Sequence, residues 1–161
     1  MKLLLKIALA CLPVLLLLSC SKKADDMQAM DSMAVVDTRI QKYLFAHNEI
    51  AVRDPSGLYY RILTPGDSTH FAKAASVVTV DYINQLIDGT IVDASFDVTN
   101  FNNRELKNHI PGWQIGLSKI SKGGKIRLYI PPYLAFGSIG VPNIIPPNAI
   151  LISDVKLVDI K

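Results

Sequence analysis

The C-terminal half of the chain is broken too often to hold long helices. Six of the nine prolines fall between 111 and 147, together with Gly112, Gly116, Gly123, Gly124, Gly137 and Gly140. Proline removes a helix donor and clashes with the preceding turn, and an interior glycine costs a helix about 1 kcal/mol relative to alanine. Short strands and one short helix are what fit between the breaks. Gly112 to Ile120 sets Trp113, Leu117 and Ile120 at helical spacing and stops at Lys122-Gly123-Gly124. Lys125 to Ile130 then alternates, with Ile126, Leu128 and Ile130 opposing Lys125, Arg127 and Tyr129. Pro131 to Asn148 is a long loop, and Ala149 to Ile160 is the last strand.

The preceding segment has the same β texture. Leu58 to Leu63 is a strand closed by Pro65-Gly66, and Ser76 to Leu86 places Val78, Val80 and Tyr82 on one face. Asp88-Gly89 is a hairpin signal from which Ile91 to Ser95 returns. Residues 97 to 109 are polar and Asn-rich apart from Phe101. Five or so strands and one short helix in 161 residues predict a single small antiparallel α+β domain.

The N-terminus belongs to targeting, not to the fold. Ile7 to Leu18 is an apolar run of 12 residues behind a short basic start, too short for the roughly 20 residues of a spanning helix. It ends in Leu17-Leu18-Ser19-Cys20, which resembles a bacterial lipobox, so residues 1–19 are expected to be a lipoprotein signal and Cys20 the acylated residue. Two or three acyl chains hold a protein on a bilayer where one is marginal. Residues 20–36 are expected to be a flexible tether of about 20 Å. Residues 37–57 should form an N-terminal helix and turn. Asp37 would cap that helix, and Ile40, Tyr43, Leu44, His47 and Ala51 would fall on its apolar stripe, with His47 half-buried. Residues 58–161 make up the main domain. The anchor implies the bacterial cell envelope, most naturally the outer membrane.

Charge and cysteine usage exclude several functions. A net charge of +3 falls towards zero once Lys2 and Lys6 are removed, which leaves no electrostatic footprint for nucleic acid. Cys11 and Cys20 are the only cysteines, so no disulfide holds the domain. His47, His70 and His109 lack ligand spacing, and no metal or cofactor is expected. Gly123-Gly124-Lys125 lacks the glycine spacing of a phosphate loop, and Ser118 and Ser121 lack a nucleophile-elbow context.

The loops, by contrast, are unusually apolar. Pro132-Tyr133-Leu134-Ala135-Phe136-Gly137 and Ile144-Ile145-Pro146-Pro147-Asn148-Ala149 carry large side chains where a loop should meet water. With Trp113 they would border an apolar hollow unless they all turn inward. Alongside Val80-Asp81-Tyr82, Leu86-Ile87-Asp88-Gly89-Thr90, Val92-Asp93-Ala94-Ser95, Ile110-Pro111-Gly112-Trp113, Gly123-Gly124-Lys125, Tyr129-Ile130-Pro131-Pro132 and Asp154-Val155, these motifs run in order over Val77 to Ile160. That stretch resembles the FKBP-type peptidyl-prolyl cis–trans isomerases.

The resemblance implies a twisted antiparallel β-sheet wrapped around the one short α-helix, with a pocket between them and Trp113 as its floor. Tyr82, Val92, Phe101, Ile110, Phe136, Ile144 and Ile145 would line it, and Ala135 and Ser153 would join the substrate-binding set. Asp93 would sit at the rim within reach of Tyr82, and the backbone N–H of Ile110 would hold the substrate carbonyl. His109 is expected as a rim contact, not a base. Partners would be Pro-containing polypeptide clients and the bilayer, with the protein a monomer. Val92, Phe136 and Ser153 stand where Phe, Tyr and Phe are common in the family, so a slower enzyme, or one tuned to bulkier residues before proline, is expected. A module that binds Pro-containing or apolar segments without turning them over is the competing expectation.

Overall fold

The computed structural model describes residues 20–95 and 103–161, with side chains from Met33 onward. The chain divides after Val35, and the unit from Val36 to Lys161 contains the sheet. Its strands are β1 (Val52–Arg53), β2 (Tyr59–Thr64), β3 (Val77–Leu86), β4 (Ile91–Ala94), β5 (Arg104–Glu105), β6 (Lys125–Ile130) and β7 (Leu151–Ile160); it holds helix α2 (Pro111–Leu117) and, from Val36 on, the C-terminal part of α1 (Cys20–Ala46). All pairings are antiparallel, in the order β1-β2-β6-β7-β3-β4, with β5 also on β3. The last strand in the chain therefore lies mid-sheet, between β6 and β3. This is the expected α+β class, with two short edge strands added.

Period-two alternation gives the sheet two differently used faces. On the inner face Val78, Val80, Ile126, Leu128, Leu151, Val155 and Leu157 are fully buried against Trp113 and Leu117 of α2. Each such aliphatic chain contributes about 1.5–3 kcal/mol relative to exposure. Two glycines let α2 approach. A Cβ at Gly112 would stand 2.5 Å from Ile130, and one at Gly116 would stand 2.6 Å from Leu128. The pair is spaced by one helical turn, so a single glycine face is pressed onto β6. Pro111 at the first helical position forces Ile110 into extended backbone (φ −56°, ψ 146°), which starts the helix sharply.

On the outer face Ile40 and Leu44 of α1 pack on Tyr59, Tyr129 and Ile152. Arg127 makes a two-pronged contact with Asp154, both bonds 2.7 Å, and reaches Glu49 at 2.9 Å. Glu49 also accepts a hydrogen bond from the Tyr129 hydroxyl. Asp37 Oδ1 accepts from Arg53 Nε at 2.8 Å and from the Tyr59 hydroxyl at 2.9 Å. Burial pushes the Asp37 carboxyl up, but the bonds from Arg53 and Tyr59 outweigh it and hold the group below its ordinary value.

Several expectations change here. Helix α1 begins at Cys20, so residues 20–36 are helical where a flexible tether was expected. The stretch contains no Gly or Pro, and its Ala, Met, Lys and Gln are good helix formers even without an apolar stripe. Asp37 is consequently interior to the helix, and its carboxylate grips Arg53 and Tyr59 instead of capping. His47 is exposed and stacks on Tyr43 with ring centroids 3.9 Å apart, not half-buried. Helix α2 ends at Leu117 rather than Ile120, yet Ile120 is still fully buried by the turn that follows. Residues 103–109 form β5 and a short 3₁₀ turn, Leu106–Asn108. The signal segment 1–19 and Phe101 lie outside the described residues.

Candidate functional site

Where α2 meets the inner face the packing leaves a cavity of about 190 Å³, lined by Asn84, Arg104, Asn108, His109, Ile110, Trp113 and Phe136. Trp113 is held from three directions. Tyr82 meets its ring edge-on at 5.0 Å, and His109 stacks on it at 5.4 Å. Its Nε1–H donates to Ser153 Oγ at 3.0 Å, and that hydroxyl in turn donates to Asn84 Oδ1. The indole is only 2% exposed and its orientation is fixed.

The polar groups around it follow from strand register. Asn84 pairs with Asp93 on β4 and with Ser153 on β7, so the three side chains share the inner face in one row across the sheet. The Tyr82 hydroxyl donates to Asp93 Oδ2 at 3.1 Å, as expected from the resemblance. Gln114 Nε2 donates to the carbonyls of Lys107 (3.1 Å) and His109 (2.7 Å), which ties the 106–109 segment to α2. Burial pushes the His109 imidazole below its ordinary value, only partly offset by a hydrogen bond with the Arg104 backbone.

Trp113, Ile110 and Phe136 therefore converge on one cavity, with the Tyr82–Asp93 pair beside the indole. Val92 and Ala135 are partly buried against the same core. Ile145 is buried (6%) in the same core and its neighbour Ile144 is 53% exposed, and neither belongs to the cavity lining. Paired backbone bonds between Val141 and Ile145, both 2.8 Å, set this: they turn Ile145 inward and leave Ile144 facing water. His109 is buried against the indole and does not sit at a rim. Ser153 lies beneath Trp113, fully buried. Asn84, Arg104 and Asn108 were not anticipated from sequence. For Asn84 the signal was present, since it continues the buried face of Val78, Val80 and Tyr82 with a polar side chain.

Among the described residues no three His, Cys, Asp or Glu gather as a metal site, and no helix is long and apolar enough to cross a membrane. Among its described residues the lining sets no nucleophile beside a base. What it offers is an apolar, indole-floored hollow with fixed hydrogen-bonding groups at its margins, suited to binding and reshaping a small apolar segment.

Comparison with known proteins agrees with this geometry. Residues 68–158 match the family described as FKBP-type peptidyl-prolyl cis-trans isomerase. The chain is 42% identical over 117 residues to FkpA of Escherichia coli K12, covering 73% of this chain and 43% of that protein. It is 37% identical over 106 residues to the peptidyl-prolyl cis-trans isomerase Mip of Coxiella burnetii, covering 66% and 46%. Both matches span less than half of the relative's length. The crystal structure of Escherichia coli FkpA superposes with a TM-score of 0.69 at 35% identity, covering 87% of this chain and 66% of that one. The chain belongs to the FKBP-type peptidyl-prolyl cis–trans isomerase family.

Proposed function

We propose that this protein catalyses rotation about X–Pro bonds of exported polypeptides. The observation that carries the reading is Trp113 locked beneath a cavity that Ile110 and Phe136 also line. An amide resists rotation by about 18–20 kcal/mol because its C–N bond has partial double-bond character, and uncatalysed X–Pro exchange takes tens to hundreds of seconds. Twisting the bond destroys the resonance, which leaves a less polar carbonyl and a more basic nitrogen. A water-poor, apolar hollow disfavours the flat, dipolar amide more than the twisted one, and that difference is catalysis by preferential binding of the transition state. The prolyl ring would rest on Trp113, with the Ile110 N–H holding the preceding carbonyl and the Tyr82–Asp93 pair fixing the adjoining wall. No proton transfer is needed.

Exposed apolar groups on the loop after β6 support a second reading, binding without turnover. Tyr133 (43%), Ile139 (81%) and Ile144 (53%) face water on the segment that also supplies Phe136. An exchange assay on X–Pro peptides separates the two. Acceleration over the spontaneous rate supports the enzyme, while peptide binding without acceleration leaves only the binding module. The lipobox-like run ending at Cys20 supports acylation and a place in the cell envelope, on the outer membrane. Mass measurement of the mature N-terminal peptide, with and without Cys20→Ser, tests that part.

A further inference from the structure

Asn84 is a polar side chain 6% exposed on the inner face, in the wall of the cavity. The indole N–H of Trp113 can only donate, so Ser153 Oγ accepts there and spends its own proton on Asn84 Oδ1. The amide of Asn84 thus faces Ser153 with its carbonyl end. The carbonyl end is engaged, and among the described residues Nδ2 donates to nothing. Asn84, which lines the cavity together with Trp113, thereby carries two N–H groups with no acceptor among the described residues, and its bond from Ser153 restrains the amide.

We propose that Asn84 is a specificity-determining residue that donates a hydrogen bond to an acceptor oxygen on the ring seated over Trp113. The pocket thus favours proline-like rings bearing such an oxygen over rings of hydrocarbon alone. This rests on the prolyl-ring reading of the site. A hydrocarbon ring that expels water from the floor leaves the amide protons buried and unmatched, and an oxygen-bearing ring meets them. Ser153 contributes as a positioning residue, because it holds the amide through Oδ1.

Two capped peptides of equal shape test it: one with 4-oxoproline, whose ring carbonyl only accepts, and one with 4-methyleneproline. Trp113 is the only tryptophan, so its fluorescence reads binding at the floor directly. The wild-type chain should bind the oxo peptide roughly tenfold more tightly, the worth of one neutral hydrogen bond. In Asn84→Leu the ratio should fall to about one. Asn84→Ala, which adds no bulk, should do the same and keeps the test open if the leucine variant does not fold. A ratio unchanged between wild type and these variants, with X–Pro turnover intact in the wild type, overturns the role of Asn84 and spares the isomerase. Absence of both turnover and binding in the wild type overturns the prolyl-ring reading, and the Asn84 proposal with it.

Discussion

The two faces of the sheet are built from the same strands and handle polarity in opposite ways. The outer face is sealed by α1 and carries full charges: Arg127 with Asp154 and Glu49, and Arg53 with Asp37. Every one of these charges meets an opposite partner. The inner face is open at one corner, and its deepest polar groups, Asn84, Ser153 and the Trp113 indole, are neutral and hydrogen-bonded in series. Charges locked in pairs hold a helix in place and have nothing left to offer a ligand. Neutral groups joined in a relay fix a floor and still present a donor. One face is for holding and the other for receiving.

The largest test of this division is Trp113→Ala. Removing a fully buried indole should cost about 3–5 kcal/mol of stability by urea unfolding, and X–Pro turnover should vanish even at temperatures where the variant stays folded. Retained turnover in a folded variant would mean the inner face is only a core. Arg127→Met is the opposite probe. It strands Glu49 and Asp154 on the outer face, so stability should drop by about 1–3 kcal/mol while kcat/KM of the folded protein is unchanged. A fall in kcat/KM would erase the distinction between the faces.

The smallest effect is in pH dependence. Because burial lowers the folded-state value of His109, the unfolded chain binds more protons as pH falls below about 6.5, the ordinary imidazole value. The stability from this group is therefore present above that pH and is lost as pH drops towards the lowered folded value. His109→Phe should flatten that part of the stability profile relative to wild type. Asp54 behaves alike at lower pH. The Lys119 contact at 2.7 Å and the Ser56 backbone N–H hold its carboxyl at about 2, so its contribution fades between the ordinary carboxylate value and there.

How much of this the chain discloses depends on whether a feature is local. Alternation marked β3 and β6 because each buries one face over several residues. Trp113 and Leu117 showed α2 through their spacing. Strands β1 and β5 have two residues each, too few to display any period. The helical stretch before Val36 carries no apolar stripe, so nothing but composition argued for it. The floor of the cavity was the least legible part. Asn84 and Ser153 are neighbours only because β7 inserts beside β3, and a separation of 69 positions leaves no local trace. The opposite orientations of Ile144 and Ile145 were hidden for a similar reason, since bonds to Val141 set them and side-chain type does not.

The placement of β7 has a consequence for when activity can begin. A polypeptide made amino end first has β2, β3 and β6 well before Leu151–Ile160, yet in the strand order β6 and β3 are joined only through that last strand. Until it slots in, Trp113 has no hydroxyl to anchor its indole and the hollow has no base. Competence would then switch on in a single late step, so a chain stalled or clipped before its final strand would be inert rather than partly active.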